Sequence, residues 1–352
     1  MSQFFALTLA DVRRDTPDSL VLTLSVPQEH RARFAHRAGQ HLTLRTWVDG
    51  QELRRSYSLC NAQGDAAPQL AIKRIAGGRF SEWAHRHMRA GAMIEAMAPT
   101  GSFGLGEPSE APRHYVAFAA GSGITPILSI LETVLRDEPA SRFTLVYGNR
   151  DLESVQFRER LCQLKNTYLT RLSIFYFFSN EPQDVELFSG RLDEHRCQSL
   201  LTSCLQVSTI DYVYLCGPAG MMQAACAALI AKGLPAERIR QERFGADPAV
   251  RSSSVPSVAG AGVELTVRIE GATRRLRLAP GDNTLLDNLL AAGLAPPYSC
   301  KAGVCGTCRC KVLEGEVYMQ SPHALGPTEV AQGYVLACMS RAQTPSLKLA
   351  FD

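Results

Sequence analysis

The chain has 352 residues, 45% of them hydrophobic and 20% charged, a globular balance that excludes collagen-like repeats, intrinsic disorder and a disulfide-dense miniature scaffold. Its length corresponds to two or three domains at roughly 150 residues each. The formal net charge of +3, from 37 basic and 34 acidic residues, is too mild for a dedicated nucleic-acid binder.

The start, from Met1 to Ala10, lacks a basic leader and a small-residue cleavage site and reads as a strand. Strand-rich segments follow at Leu20–Val26, His41–Leu44 and Leu70–Ile75, bounded by Pro, Gly or Asp. Between them, His30–Arg37 reads as a solvated loop face, with a partner-docking patch as the alternative. In the first hundred residues only Ser81–Met88 looks helical, so this part predicts a small antiparallel barrel.

From about residue 113 strands alternate with helices. Tyr115–Phe118, Phe143–Tyr147, Ile174–Phe178 and Tyr212–Leu215 are strand-like. Ile127, Leu128, Ile130, Leu131, Val134 and Leu135 recur at helical spacing, and Phe157–Leu164 is amphipathic. The long uncharged stretches Tyr115–Leu131 and Tyr212–Ala231 are each broken by Gly and Pro, so they read as strand, turn and helix rather than membrane spans. This pattern predicts an open parallel sheet wrapped by helices.

Residues 247–262 are small or proline and read as a linker. Beyond it, alternating Val263, Leu265, Val267 and Ile269, then Leu276 and Leu278, predict a hairpin turned at Glu270-Gly271. A short helix carries Leu285, Leu286, Leu289 and Leu290 on one face and stops at Gly293. The predicted organisation is a barrel over 1–108, a parallel-sheet domain over 109–246, and an α+β domain over 263–352.

Eleven cysteines are present, five of them at or beyond Cys300. Without an export signal the expected setting is a reducing cytoplasm, where clustered thiols point to metal rather than disulfides. Cys300, Cys305 and Cys308 spell C-x4-C-x2-C, with Cys338 further on, the plant-type spacing for a [2Fe–2S] cluster. Thiolates and bridging sulfides carry negative charge that inward-pointing N–H groups stabilise, and Gly303 and Gly306 allow the main chain to aim them. Structural zinc would favour paired C-x2-C knuckles, and there is one such pair here. Cys310, two residues past Cys308, is expected to face away as a small buried hydrophobe.

Two further signatures point to nucleotides. In Arg55-Ser-Tyr57-Ser58, Arg55 can pair with a phosphate, Tyr57 can lie against a flavin ring, and Ser58 can hydrogen-bond towards its N5 edge. In Gly77-Gly78-Arg79-Phe80-Ser81 two glycines before a helix N-terminus would present bare N–H groups and a favourable dipole to a pyrophosphate, making Gly78, Phe80 and Ser81 cofactor candidates alongside Lys73. Gly121, Gly123, Thr125 and Pro126 lie where a strand turns into a helix. Cys216, Gly217, Pro218 and Met222 repeat the arrangement at a later strand end, and both turns belong at the ligand-binding edge of such a sheet. After Tyr147 there is no acid to hold the ribose hydroxyls. Arg150 stands there instead, which favours NADPH over NADH, while the adjacent Asp151 keeps NADH open.

In order, R-x-Y-S, G-G-x-x-S, G-x-G-x-T-P, C-G-P, E-x-F and the cysteine cluster resemble the ferredoxin–NADP reductase superfamily, in the branch with a C-terminal plant-type ferredoxin domain. The resemblance covers essentially the whole chain. Within it, Gln40–Leu44, Leu53–Cys60, Tyr147–Arg150 and Cys305–Leu313 are similar to the reductase subunits of phenylacetyl-coenzyme A ring epoxidases. The reductases of 3-ketosteroid 9α-hydroxylases share much of the pattern. The resemblance implies FAD, a [2Fe–2S] cluster and NADPH or NADH as donor. It implies Glu242 and Phe244 near the flavin, beside Tyr57 and Ser58, and a multicomponent oxygenase as electron acceptor, with no nucleic acid or membrane partner. A passive electron carrier and a thiol or zinc sensor are the competing readings. Residues 247–262 would let the ferredoxin domain swing between flavin and client.

Overall fold

The first sheet is antiparallel, with strands β1 (Phe5–Thr16), β2 (Ser19–Ser25), β3 (His41–Val48), β4 (Gln51–Ser58), β5 (Gln69–Lys73) and β6 (Met93–Ala96) in the order β4-β3-β6-β1-β2-β5. Its two outer strands meet through a bridge between Leu59 and Leu70, which closes it into the expected barrel. Inward residues such as Leu7, Leu22, Leu44 and Ile72 fill the interior, and Phe80 and Ala84 of helix α2 (Arg79–His87) plug it. The reading of His30–Arg37 as loop needs correction. Arg31–Phe34 forms one helical turn, α1, because buried Phe34 packs edge-on against Phe5 at 5.7 Å and pins the segment to the core.

The second sheet is parallel: β7 (His114–Ala120), β8 (Arg142–Asn149), β9 (Leu172–Phe178), β10 (Tyr212–Cys216) and β11 (Ile239–Glu242), ordered β11-β10-β7-β8-β9. The period of two splits each strand between two cores. Tyr115, Ala117 and Tyr147 meet α3 (Ile124–Asp137) and α4 (Arg158–Thr167). Val116, Phe118 and Val213 meet α5 (Glu194–Ser203) and α6 (Ala219–Ala231). The chain leaves β7 for β8 on one side and reaches β10 on the other, so the ends of β7 and β10 flank the topological switch point, where such sheets bind ligands.

Barrel and parallel sheet are joined along α3 and α4. Ser129 Oγ donates to the Asn61 carbonyl at 2.6 Å, and the Gln63 N–H donates to Thr133 Oγ1 at 2.9 Å. Arg160 grips buried Glu132 through two nitrogens and reaches Gln69 of β5 at 3.1 Å. The Phe157 N–H, in a left-handed turn (φ 57°), donates to Asp15 Oδ2 at 2.8 Å.

The third sheet is mixed: β12 (Val263–Ile269), β13 (Ala272–Leu278), β14 (Arg309–Glu314), β16 (Tyr334–Leu336) and β18 (Ser346–Phe351), in the order β13-β12-β18-β14-β16. A ribbon of β15 (Val317–Met319) and β17 (Ser340–Ala342) accompanies it, with helices α7 (Leu285–Ala291) and α8 (Pro327–Ala331). The hairpin turns as expected, Glu270 and Gly271 both taking positive φ (51° and 77°), which suits the twist of two-residue hairpins. Leu285, Leu286 and Leu289 of α7 bury against the sheet.

By compactness the chain forms two units, one of residues 5–53 and 57–243, and a smaller one that takes in the chain from Phe244 on. The computed structural model describes residues 3–65, 67–106, 108–245, 262–278, 283–320 and 323–351. The linker read at 247–262 lies outside the described residues apart from Gly262.

Candidate functional site

Strand β4 ends on Tyr57 and Ser58, beside the start of α2. The Tyr57 ring is part-buried, its centroid 5.6 Å from that of Phe80, so the core itself sets its position. Arg55 is exposed on the same strand and donates to its neighbour's carbonyl, that of Arg54, at 2.7 Å. The loop before α2 departs from expectation in one respect. The Gly77 N–H is taken by Glu82 Oε1 (2.9 Å) and that of Gly78 by the Ile75 carbonyl (2.9 Å), so neither is bare. A tight turn stapled by Ser81 Oγ, which accepts from the Ile75 N–H at 3.1 Å, consumes them. The donors at the helix start are instead the first-turn N–H groups of Arg79, Phe80 and Ser81. A side chain at Gly78 would strike Ser81 Oγ at 2.6 Å, so this turn requires glycine.

Ser58 is buried, and its hydroxyl donates to Glu242 Oε2 at 3.1 Å across 184 residues of sequence. Strand pairing makes the meeting possible: β11 lies beside β10 with Glu242 opposite Cys216. Glu242 as a residue keeps some solvent contact, and its carboxyl end is the enclosed part. Burial pushes that carboxyl up to about 8 against the opposing pull of the Ser58 hydrogen bond. Burial likewise pushes the Cys216 thiol well up, with Glu242 adding to it. At neutral pH the site therefore holds a protonated acid and a protonated thiol. Phe244, two residues on, is 48% exposed.

The two strand-end turns of the parallel sheet touch. A Cβ on Gly123 would lie 2.0 Å from the Cys216 carbonyl oxygen, and one on Gly217 would lie 3.2 Å from the Ala120 nitrogen. Gly123 is thus required by the packing of the two turns. Gly121 is left-handed (φ 53°), and its carbonyl accepts from the Tyr147 hydroxyl at 3.1 Å. Thr125 is buried and donates to the Ser122 carbonyl at 3.0 Å, while Pro126 sits in the first turn of α3, where no intrahelical N–H is needed. Pro218 precedes α6, and Met222 is buried in the core behind it.

Lys73 ends β5 with its Nζ 4.0 Å from where a Gly121 Cβ would stand. Arg150 follows β8 and is largely exposed. Asp151, which had left NADH open, is occupied: its Oδ1 accepts the Ser154 N–H at 2.9 Å in a capping box. Sequence reasoning missed Asp18, which lies 3.6 Å from Lys73 Nζ and 3.5 Å from Arg150 Nη2. In Thr-Pro-Asp-Ser it carried only the signal of a turn.

In the smaller unit the cysteines gather as two neighbouring pairs, Cys300 with Cys305 and Cys308 with Cys338. In each pair the neighbour's hydrogen bond holds one thiol down, Cys305 and Cys338 respectively, and pushes the other up. Main-chain N–H groups turn towards the sulfurs: that of Ala302 reaches Cys300 Sγ at 3.3 Å, and those of Thr307 and Gly303 stabilise the Cys305 and Cys338 thiolates. Left-handed Lys301, Gly303 and Gly306 make this wrap possible. Among the described residues no three metal-binding side chains converge on one ion. Two thiol pairs inside a cage of N–H donors fit a two-iron cluster, each iron taking a pair, better than one tetrahedral zinc. Cys310 is buried on β14, in the hydrophobic core as expected.

Three family models match in succession: an oxidoreductase FAD-binding domain over residues 6–104, an oxidoreductase NAD-binding domain over 118–227, and a 2Fe-2S iron-sulfur cluster binding domain over 267–343. Fold and site together define an NAD(P)H-dependent electron-transfer reductase. The chain is 43% identical over 352 residues to one of the subunits of the 1,2-phenylacetyl-CoA epoxidase of Escherichia coli (strain K12), covering 100% of this chain and 99% of that one. It is 35% identical to the ferredoxin reductase component of 3-ketosteroid-9-alpha-monooxygenase from Rhodococcus rhodochrous, covering 99% and 97%. The chain belongs to this family of oxygenase reductases. In fold it is similar to phthalate dioxygenase reductase, with a TM-score of 0.59 at 23% identity over 99% of this chain and 98% of the other. Among the described residues no helix is long and apolar enough to cross a membrane.

Proposed function

We propose that this chain draws electrons from NADPH and delivers them to an oxygenase, the phenylacetyl-CoA 1,2-epoxidase of phenylacetate degradation, in the cytoplasm. The observation that carries the client is the 43% identity to a component of such an epoxidase along the full length of both chains. The chemistry supplied by bound FAD and a bound two-iron cluster is the conversion of a two-electron hydride donor into single electrons.

The chain's own residues bind, orient and hold protons. The Arg55 guanidinium and the first turn of α2 supply donors for a flavin phosphate, with Gly78 and Ser81 shaping that turn and Phe80 setting the ring of Tyr57 as a platform. Ser58 and protonated Glu242 form a proton-holding pair at the end of β4, and Phe244 follows two residues after Glu242 in the chain. The turns carrying Gly121, Gly123, Thr125 and Pro126, and Cys216, Gly217, Pro218 and Met222, form the nucleotide edge of the parallel sheet. Lys73 and Arg150 add positive charge there, and with Asp151 engaged in its cap, Arg150 favours the 2′-phosphate of NADPH. Cys300, Cys305, Cys308 and Cys338 hold the cluster irons. The domains run over 1–108, 109–246 and 263–352, with 247–262 as linker.

The test is reconstitution of the purified holoprotein with the catalytic subunits of a phenylacetyl-CoA epoxidase, and separately with a 3-ketosteroid 9α-hydroxylase. Consumption of phenylacetyl-CoA dependent on NADPH and O₂ is the expected result. Turnover with the steroid enzyme alone would reassign the client, and a flavin band that NADPH leaves unbleached would overturn the electron path.

A further inference from the structure

Lys73 and Arg150 come from different sheets, and the group that brings them together is acidic. Asp18 Oδ2 lies 3.6 Å from Lys73 Nζ and 3.5 Å from Arg150 Nη2. The carboxylate is not a loose surface acid. Its other oxygen accepts from Thr16 Oγ1 at 2.8 Å and from Ser19 Oγ at 3.4 Å. Its main-chain carbonyl accepts from the Arg74 N–H at 2.7 Å, the residue next to Lys73. The turn between β1 and β2 is thereby tied to the end of β5, beside the left-handed Gly121 turn at the switch point. Against a burial effect that alone would raise it, the Thr16 hydrogen bond, and after it neighbouring Lys73 and Arg150, hold this carboxylate below the usual range.

We propose that Asp18 is a built-in competitor for a phosphate group of the nicotinamide nucleotide, its carboxylate lying between the two cations that the phosphate takes over on binding. The proposal rests on the reading of Lys73 and Arg150 as nucleotide-facing. A carboxylate carries one negative charge, whereas a 2′-phosphate carries close to two and a pyrophosphate carries two in all, so the phosphate prevails for two cations, but only after displacing the resident anion. Asp18 therefore lowers nucleotide affinity, which hastens departure of the oxidised product. It also keeps the two cations side by side when no nucleotide is present.

Calorimetric titration of the full-length holoprotein with 2′,5′-ADP and with ADP, at low and moderate salt, tests this without relying on turnover. Asp18→Asn keeps the shape and an oxygen for Thr16 while removing the charge, and is expected to bind about three- to tenfold more tightly with a steeper salt dependence. Asp18→Ser should give the same gain where the amide disturbs the turn. A gain confined to 2′,5′-ADP places the displaced carboxylate at the 2′-phosphate site; a gain for both ligands places it at the 5′-phosphate they share, and a gain confined to ADP places it at the second phosphate of the pyrophosphate. Unchanged or weaker binding by both Asp18 variants, with Lys73→Gln and Arg150→Gln weakening it, would overturn the competitor role and leave the nucleotide reading standing. Indifference of Lys73→Gln and Arg150→Gln would overturn the nucleotide reading and this proposal together.

Discussion

The cysteine loop and the edge of the parallel sheet proposed for the nucleotide are built by opposite means. The loop carries three of its four thiols within nine residues, Cys300 to Cys308, and relies on left-handed residues to turn N–H groups inward. The edge proposed for the nucleotide gathers Lys73 from the end of β5 with Asp18, Gly121 and Arg150 from the turns after β1, β7 and β8, and its precision comes from buried sheets and helices beneath. The first arrangement is local and depends on its ligands; the second is a product of packing. Damage should accordingly be chemical in one and structural in the other.

The largest expected effect is Cys305→Ser, which removes one partner of a thiol pair. It should abolish the cluster's visible absorbance and its paramagnetic signal after reduction, while NADPH still bleaches the flavin. Retention of both cluster signals would erase the distinction drawn between the regions.

At the sheet edge the corresponding lesion is Gly123→Ala, whose methyl would meet the Cys216 carbonyl 2.0 Å away. The β7 and β10 turns must part, at a cost of about 3 kcal/mol. Urea unfolding and nucleotide titration should both register it, with cluster absorbance unchanged.

The smallest effect concerns Glu242, and its sign follows from burial. The folded chain keeps this carboxyl protonated up to about 8, whereas a free glutamate releases its proton near 4.5. The associated stability is fully present below that lower value and is lost as pH rises through about 8. Urea midpoints between pH 5 and pH 9 should therefore fall in the wild type and stay flatter in Glu242→Gln. A parallel fall in both proteins would mean that some other group titrates.

What could be read from the chain follows the same division. Three of the four clustered cysteines fall within nine residues, so C-x4-C-x2-C announces them. The glycine turns are legible because strand, glycine and helix follow one another in sequence. Ser58 and Glu242 are 184 residues apart and meet because β11 pairs with β10. No spacing encodes that, and only family resemblance supplied Glu242. Strand β11, Ile-Arg-Gln-Glu, has too little apolar alternation to stand out, and α5 carries only Cys197, Leu200 and Leu201 as a buried stripe. Helix α1 is a single turn whose one anchor, Phe34, sits in a basic run that looks like solvent-facing loop. Asp18 reads as an ordinary turn residue because the two cations it meets come from the end of β5 and the turn after β8, far away in sequence.

The bonds that cross between barrel and parallel sheet, from Asp15 to Phe157, Ser129 to Asn61, Thr133 to Gln63 and Arg160 to Gln69, have a mechanical meaning. They bolt the antiparallel barrel and the parallel sheet into one compact unit. Any rotation of one part against the other would have to break these bonds first, so the join behaves as frame rather than as joint.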